Sequence, residues 1–276
     1  MAKTVLITGT SSGFGKQTAK LFHENGWSVI ATMRAPEKET ELTQLDNVIV
    51  DYLDVKDTES IRKAVKAGTD TFGTIDALIN NAGYGVMGVF ESATEEQIRQ
   101  QYAVNVFGMM QVTQAVLPYM RAQGSGTIIN ISSFGGVVAL PFGSLYNSSK
   151  FAVEGFSEAL SHEVLPLGIT VKIIEPGGVV TNFRNGLTMI NNKIPVYNPL
   201  LASFFGRYAQ TTQHLPKASP EMVAATIYEA TTDGKQQLRY VVGEDAQFYI
   251  DAKTKNSDEA YTRLIRDYFV NDPVSQ

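Results

Sequence analysis

The chain predicts an α/β fold: a single-domain, Rossmann-type doubly wound parallel sheet. Three observations carry that expectation. Apolar runs of four to six residues alternate with longer stretches of helical periodicity, the pattern of parallel α/β folds. Several runs are apolar on successive residues, as expected of strands covered on both faces. A glycine-rich turn, Gly9-Thr10-Ser11-Ser12-Gly13-Phe14-Gly15, follows the first run and leads into a helix. Right-handed crossovers then favour the doubly wound arrangement.

Strands are expected at Thr4 to Thr8, Ser28 to Met33, Val48 to Tyr52, Ala77 to Asn80, Thr127 to Ser132, Thr170 to Glu175 and Arg239 to Val242. Between them, helices are expected near 13–25, 57–70, 95–104, 107–122, 145–165 and 220–231. Ala19, Leu21 and Phe22 are the candidate packing residues of the first helix. Neither a low-complexity linker nor an internal repeat interrupts the pattern, so residues 1–276 read as one domain. One long connection, Asn182 to Pro220, breaks the rhythm. Connections of that length are usually functional, so a mobile lid over about 183–216, with short helices of its own, is expected. A tail over about 244–276 is helical from Asp258 to Phe269.

The 276 residues suffice for one large α/β domain, and 43% hydrophobic with 18% charged residues is ordinary for a soluble globular protein. A formal charge of −5 argues against a dedicated nucleic-acid binder. The absence of cysteine excludes disulfides, thiolate metal sites and cysteine nucleophiles, and scattered His23, His162 and His214 argue against a histidine-rich metal site. Met1-Ala2-Lys3-Thr4 runs directly into an apolar strand, and no apolar run reaches the roughly 18 residues of a membrane helix. A cytoplasmic protein without a membrane or nucleic-acid partner is the expectation.

The chemistry centres on Tyr146 and Lys150, four residues apart with Ser133 upstream. Residues at that spacing share one helix face, so an ammonium stands beside a phenol whose free pKa is about 10. A nearby positive charge favours the phenolate and makes the phenol a usable proton donor and acceptor. A shift of about 3 units needs roughly 4 kcal/mol of differential stabilisation. The pair alone would equally describe a solvated helix face; its surroundings decide.

Those surroundings are ordered. Thr8-Gly9 opens a T-G-x-x-x-G-x-G loop, Asp54 follows the third strand, and Asn80-Asn81-Ala82-Gly83 follows the fourth. Asn105, Ser133, Tyr146, Lys150, Pro176-Gly177 and Thr181 come after in that order. Over roughly residues 3 to 243 the chain resembles the short-chain dehydrogenase/reductase family, in a branch similar to hydroxysteroid and retinol dehydrogenases and bacterial ketoreductases. The resemblance implies an NAD(P)-dependent oxidoreductase acting on a carbonyl or secondary alcohol. Tyr146 would be the acid/base and Ser133 would hydrogen-bond the reacting oxygen. Lys150 would hold the nicotinamide ribose and lower the phenol pKa, and Asn105 would hold a water linking Lys150 to solvent.

On the cofactor side the resemblance implies that Gly9, Ser12, Gly13, Phe14 and Gly15 line the pyrophosphate and adenosine ribose. Asp54 and Val55 would meet the adenine, and Asn81, Ala82 and Gly83 would floor the adenosine half, Asn81 partly by bracing the sheet. Pro176, Gly177, Val179 and Thr181 would surround the nicotinamide. The second strand ends Ala31-Thr32-Met33-Arg34 without an acid at its tip, and Arg34 could pair with a 2′-phosphate. NADP is therefore the expected cofactor and NAD the alternative, since no basic residue lies between Gly9 and Gly13. An exposed loop cation is the other reading of Arg34.

The loop Phe134 to Ser144 and the long connection, with Phe183, Tyr197, Leu200, Leu201, Phe204, Phe205 and Tyr208, would wall the substrate pocket. They suit a medium-to-large apolar ketone or alcohol, although they could equally pack subunits. The family's habit of pairing the 107–122 and 145–165 helices implies a homodimer or homotetramer. A non-catalytic dinucleotide-binding regulator on this fold would normally lose the tyrosine or lysine, and both stand. An epimerase would show a G-x-x-G-x-x-G loop and a larger C-terminal domain.

Overall fold

The computed structural model describes residues 2–179, 187–211 and 213–270. Its strands are β1 (Thr4–Thr8), β2 (Ser28–Met33), β3 (Val48–Tyr52), β4 (Ala77–Asn80), β5 (Gly85–Met87), β6 (Gly126–Ile131), β7 (Ile169–Pro176), β8 (Leu187–Met189) and β9 (Arg239–Val242). Seven of them form a parallel sheet in the order β3-β2-β1-β4-β6-β7-β9, with Thr4 opposite Ser28 and Ala77 opposite Thr127. The order turns back on itself between β1 and β4, so the loops after those strands open a crevice at the carboxyl edge. All seven strands of this sheet fall where the sequence predicts them, to within one residue at each end.

The helices are α1 (Gly13–Glu24), α2 (Thr58–Phe72), α3 (Glu95–Tyr102), α4 (Met109–Gln123), α5 (Ser144–Val164), α6 (Asn198–Thr211), α7 (Pro220–Thr232), α8 (Glu244–Thr254) and α9 (Asp258–Phe269). Side chains alternate across a strand. Val5 and Ile7 of β1 therefore join Phe22 of α1 and Ile227 of α7 on one face, while Leu6 joins Ile61, Val112 and Leu160 from α2, α4 and α5 on the other. That double coverage is why several strands read as apolar on successive residues. Helix starts carry their own signals: Asp57 accepts from the Glu59 N–H, and Thr94 with Gln97 forms a reciprocal capping box.

Three regions depart from the sequence expectation. The break expected between 104 and 107 is instead a π-helical segment, Ala103–Gly108, that joins α3 to α4. Gly108 there packs so closely on Val55 that a β-carbon would stand 2.7 Å from the Val55 side chain. The long connection contains the short strand β8 and the fourteen-residue helix α6, and β8 pairs in parallel with β5 outside the main sheet. The tail is helical from Glu244 as well as from Asp258, and it builds a third core. In that core Phe204 of α6 lies among Val138, Leu140, Tyr249, Ile265 and Phe269.

Candidate active site

The crevice begins at the turn from β1 to α1. Gly9 has φ 74°, the left-handed region that favours glycine, and a β-carbon on Gly15 would stand 2.4 Å from the Gly9 carbonyl oxygen. Beyond Gly13 nothing lies within 4 Å of where a β-carbon would be. Ser12 precedes α1 without a side-chain cap, and the first turn holds no acid, so N–H groups at the helix start are left for an external acceptor. An unbraced helix start facing open space fits a pyrophosphate. Phe14 turns its ring partly into the core.

The segment after β4 locks this turn. Asn81 Nδ2 donates to the carbonyls of Thr8 (2.9 Å) and Gly9 (3.0 Å), and Thr8 Oγ1 accepts from the N–H groups of Asn81 and Ala82. Asp54 is half-buried and accepts from the Lys56 N–H at 2.9 Å; Val55 is buried beside it. Arg34 is exposed at the end of β2 and makes no ion pair among the described residues. The nearby acids are engaged elsewhere: Glu39 is buried and pairs with Lys16 at 3.2 Å, and Glu41 binds Lys16 and Lys20.

The structure brings Asn105, Ser133, Tyr146 and Lys150 together. Ser133 follows β6 and caps the short 3-10 turn Phe134–Gly136; its hydroxyl accepts from the Gly135 N–H at 3.1 Å and shares a hydrogen bond with Tyr146. Tyr146 lies in the first turn of α5, its ring in a slot between two glycines. A β-carbon on Gly135 would stand 3.4 Å from Tyr146 Cε1, and one on Gly85 3.2 Å from Cδ2. Lys150 is buried, its Nζ 5.9 Å from the centre of the Tyr146 ring and donating to the Ile131 carbonyl at 2.8 Å. Asn105 sits in the π segment, and its side chain clamps the Tyr84 main chain: Oδ1 accepts from the N–H at 3.0 Å and Nδ2 donates to the carbonyl at 2.9 Å. Nδ2 also reaches Ser149 Oγ at 3.2 Å. Gly83 lies between the two, its notional β-carbon 3.3 Å from Asn105 Oδ1 and 3.8 Å from Lys150 Nζ.

One expectation is corrected. The Tyr146 phenol is pushed up from its ordinary value, because desolvation disfavours its anion more than the Ser133 hydrogen bond favours it. The same burial lowers Lys150 to about 8, with the Glu154 carboxylate opposing the shift. Burial acts against the charged forms of both groups. The sequence showed the cation beside the phenol, but not that, in the chain by itself, burial would outweigh the cation's pull on the phenol.

Behind Lys150 lies a cluster that sequence reasoning missed. Glu154 and Glu175 are buried and both face Arg239, whose Nε is 3.0 Å from Glu154 Oε2 and 3.4 Å from Glu175 Oε1. Desolvation, then repulsion from Glu154, raises Glu175 to about 7. Glu154 is also raised by desolvation. Tyr146, Lys150 and Glu154 recur every four residues along α5, a stripe legible in sequence; that β7 and β9 bring Glu175 and Arg239 to it was not.

Pro176 ends β7, and its carbonyl lies 3.4 Å from Ser133 Oγ. Gly177 donates its N–H to Val242, and Val179 packs against the core. Thr181 and Phe183 lie outside the described residues. The described part of the expected lid is tied down at several points: β8 to β5, Asn192 to Ser92, and the Tyr197 hydroxyl to Glu91 at 3.0 Å. Phe204 serves the third core, whereas Leu200 and Phe205 remain exposed and Tyr208 stacks on Phe204. Phe142, in the loop before α5, adopts φ 60°; its carbonyl accepts from Gly88 at 2.7 Å and its ring meets Phe204 at 5.5 Å.

Residues 3–190 match the profile of the short chain dehydrogenase family, and the chain belongs to that family of oxidoreductases. An uncharacterized oxidoreductase of Schizosaccharomyces pombe is 39% identical over 236 residues, 83% of this chain and 96% of its own. The 3-ketodihydrosphingosine reductase of Bacteroides thetaiotaomicron is 46% identical over 181 residues, 66% of this chain and 65% of its own. A solved short-chain dehydrogenase from Streptomyces avermitilis superposes with a TM-score of 0.84 at 35% identity, covering 99% of both chains. ElxO, solved with NADP bound, gives a TM-score of 0.73 at 26% identity over 87% of this chain and 98% of its own. No helix among the described residues is long and apolar enough to cross a membrane.

Proposed function

We propose that the protein is an NADP-preferring ketone reductase or alcohol dehydrogenase that acts on medium-to-large apolar carbonyl compounds or secondary alcohols, with Tyr146 as acid/base. The observation that carries this reading is the slot between Gly85 and Gly135 that presents the Tyr146 phenol beside Ser133, with the Lys150 ammonium buried behind it. NADP bound to ElxO and a relative named for reducing a 3-keto compound support the cofactor and the substrate class.

A bound nicotinamide dinucleotide supplies the hydride in reduction and accepts it in oxidation. Gly9, Ser12, Gly13, Phe14 and Gly15 would hold the pyrophosphate side, and Asp54, Val55, Asn81, Ala82 and Gly83 the adenosine half. Pro176, Gly177, Val179 and Thr181 would surround the nicotinamide. Arg34 favours a 2′-phosphate, because it is exposed at the tip of β2 while Glu39 and Glu41 are held by lysines. In reduction, as the carbonyl carbon gains hydride, Tyr146 gives its proton to the oxygen and Ser133 Oγ holds that oxygen in place. A phenol pushed up by burial keeps its proton until then. Lys150, at about 8 still largely protonated near neutrality, stabilises the phenolate left behind. Asn105 would hold the water that links Lys150 to solvent and through which the proton is restored.

Within this reading the protein is a cytoplasmic, single-domain subunit of a homodimer or homotetramer. Exposed Phe107, Tyr119 and Phe151, in and around α4 and α5, support pairing there. Tyr146→Phe tests the core of the proposal. Turnover of a ketone panel, followed at the nicotinamide absorbance, should fall by orders of magnitude while NADPH affinity is retained; substantial retained turnover would remove Tyr146 from the acid/base role.

A further inference from the structure

We propose that Asp245 is a positioning residue for the nicotinamide half of the cofactor, its buried carboxylate fixing the main chain of Gly177 and Gly178. This rests on the cofactor reading above. Asp245 comes from the tail, in the first turn of α8, and is 1% exposed. Its Oδ2 accepts from the Gly178 N–H at 2.7 Å, and its Oδ1 accepts from the Ala246 N–H at 2.9 Å. Glycines surround it: notional β-carbons on Gly177 and Gly243 would lie 2.0 and 2.7 Å from Oδ1, and one on Gly178 3.1 Å from Oδ2. No cation pairs with the carboxylate among the described residues. Its charge is met by N–H donors, one at the start of a helix and one on the turn that leaves β7.

The geometry gives this carboxylate a task that packing alone would not need. Gly177 donates its N–H to Val242 and Gly178 donates to Asp245, so the Gly177 and Gly178 main chain is tied from two sides, with no room for a β-carbon on Gly177 beside the carboxylate. Those residues adjoin Ser133 and therefore Tyr146. A displaced turn would misplace one end of the dinucleotide and leave the β1–α1 turn untouched. The two halves of the cofactor should thus respond differently to loss of Asp245.

The test compares binding of NADPH with binding of 2′,5′-ADP, which carries only the adenosine half, to wild type, Asp245→Asn and Asp245→Ala by calorimetry. Asparagine keeps the shape and one acceptor oxygen, so it can satisfy one of the two N–H donors and guards against an alanine variant that fails to fold. We expect 2′,5′-ADP to bind all three within about twofold, while NADPH weakens roughly tenfold or more in the alanine variant and less in the asparagine variant. Equal NADPH affinity in wild type and both variants would overturn the role of Asp245 alone. Parallel weakening of both ligands would assign Asp245 to general structure. Failure of the wild type to bind NADPH, with or without 2′,5′-ADP binding, would overturn the cofactor reading and this inference with it.

Discussion

Gly85 leaves the edge of the Tyr146 ring its place: a β-carbon on Gly85 would crowd it, standing 3.2 Å from Tyr146 Cδ2 and 2.8 Å from Leu187 Cδ2. The Leu187 terminus can swing away, but the tyrosine ring is also confined from the Gly135 side. Gly85→Ala should therefore lower kcat roughly tenfold by displacing the phenol, with NADPH affinity unchanged. Initial rates and a cofactor titration check this. Wild-type turnover would show that the ring is held from elsewhere.

Replacing Glu154 should move the pH profile. Desolvation lowers Lys150 to about 8 and the Glu154 charge resists that shift, so neutralising the charge lets the ammonium lose its proton at lower pH. In Glu154→Gln the alkaline limb of kcat/KM should shift toward acid by up to about one unit. A limb that stays in place would mean that Lys150 does not set it.

Glu175 gives a stability test with a definite sign. Its pKa is raised from 4.5 to about 7, chiefly by desolvation, so the fold favours the protonated form. Its contribution is complete below the unfolded value and is lost as pH rises through about 7. Glu175→Gln mimics the protonated form. It should gain on the order of 1–3 kcal/mol over wild type near pH 8 and little near pH 4, measured by urea denaturation. An equal difference at both pH values would point to packing rather than charge.

Arg34→Asp exchanges a phosphate partner for a ribose acceptor that repels phosphate. Preference in kcat/KM should move from NADP toward NAD by tenfold or more, about 1.4 kcal/mol. If the wild type already prefers NAD by that margin, Arg34 is a bystander.

Much of the fold was legible because the main strands announce themselves locally. Val48 to Tyr52 and Ala77 to Asn80 are short apolar runs bounded by turn or polar residues, and their observed limits coincide with the expected ones. Strands β5 and β8 have no such signal: three residues each and about a hundred positions apart, they exist only because the fold brings them together. The π segment was misread as a break because one extra residue per turn leaves little trace in apolar spacing. The site was legible where chemistry sits at fixed intervals, as in Tyr146 and Lys150. It was hidden where distant elements converge, as in Glu154, Glu175 and Arg239. The direction of the Tyr146 shift belongs with the second kind, since burial comes from the whole fold.

Phe142, with its left-handed backbone, stores about 1–3 kcal/mol that a bulky side chain would release by flipping back. It is held by Gly88 on one side and by the Phe204 ring on the other. Its loop leads straight into the helix that carries Tyr146. Heat should loosen that latch before it reaches the sheet, so activity should fade at temperatures where the far-ultraviolet circular dichroism is still native. Phe142→Gly relieves the strain but gives up the grip on Phe204, and the gap between inactivation and unfolding in that variant will show which of the two governs the working temperature of the enzyme.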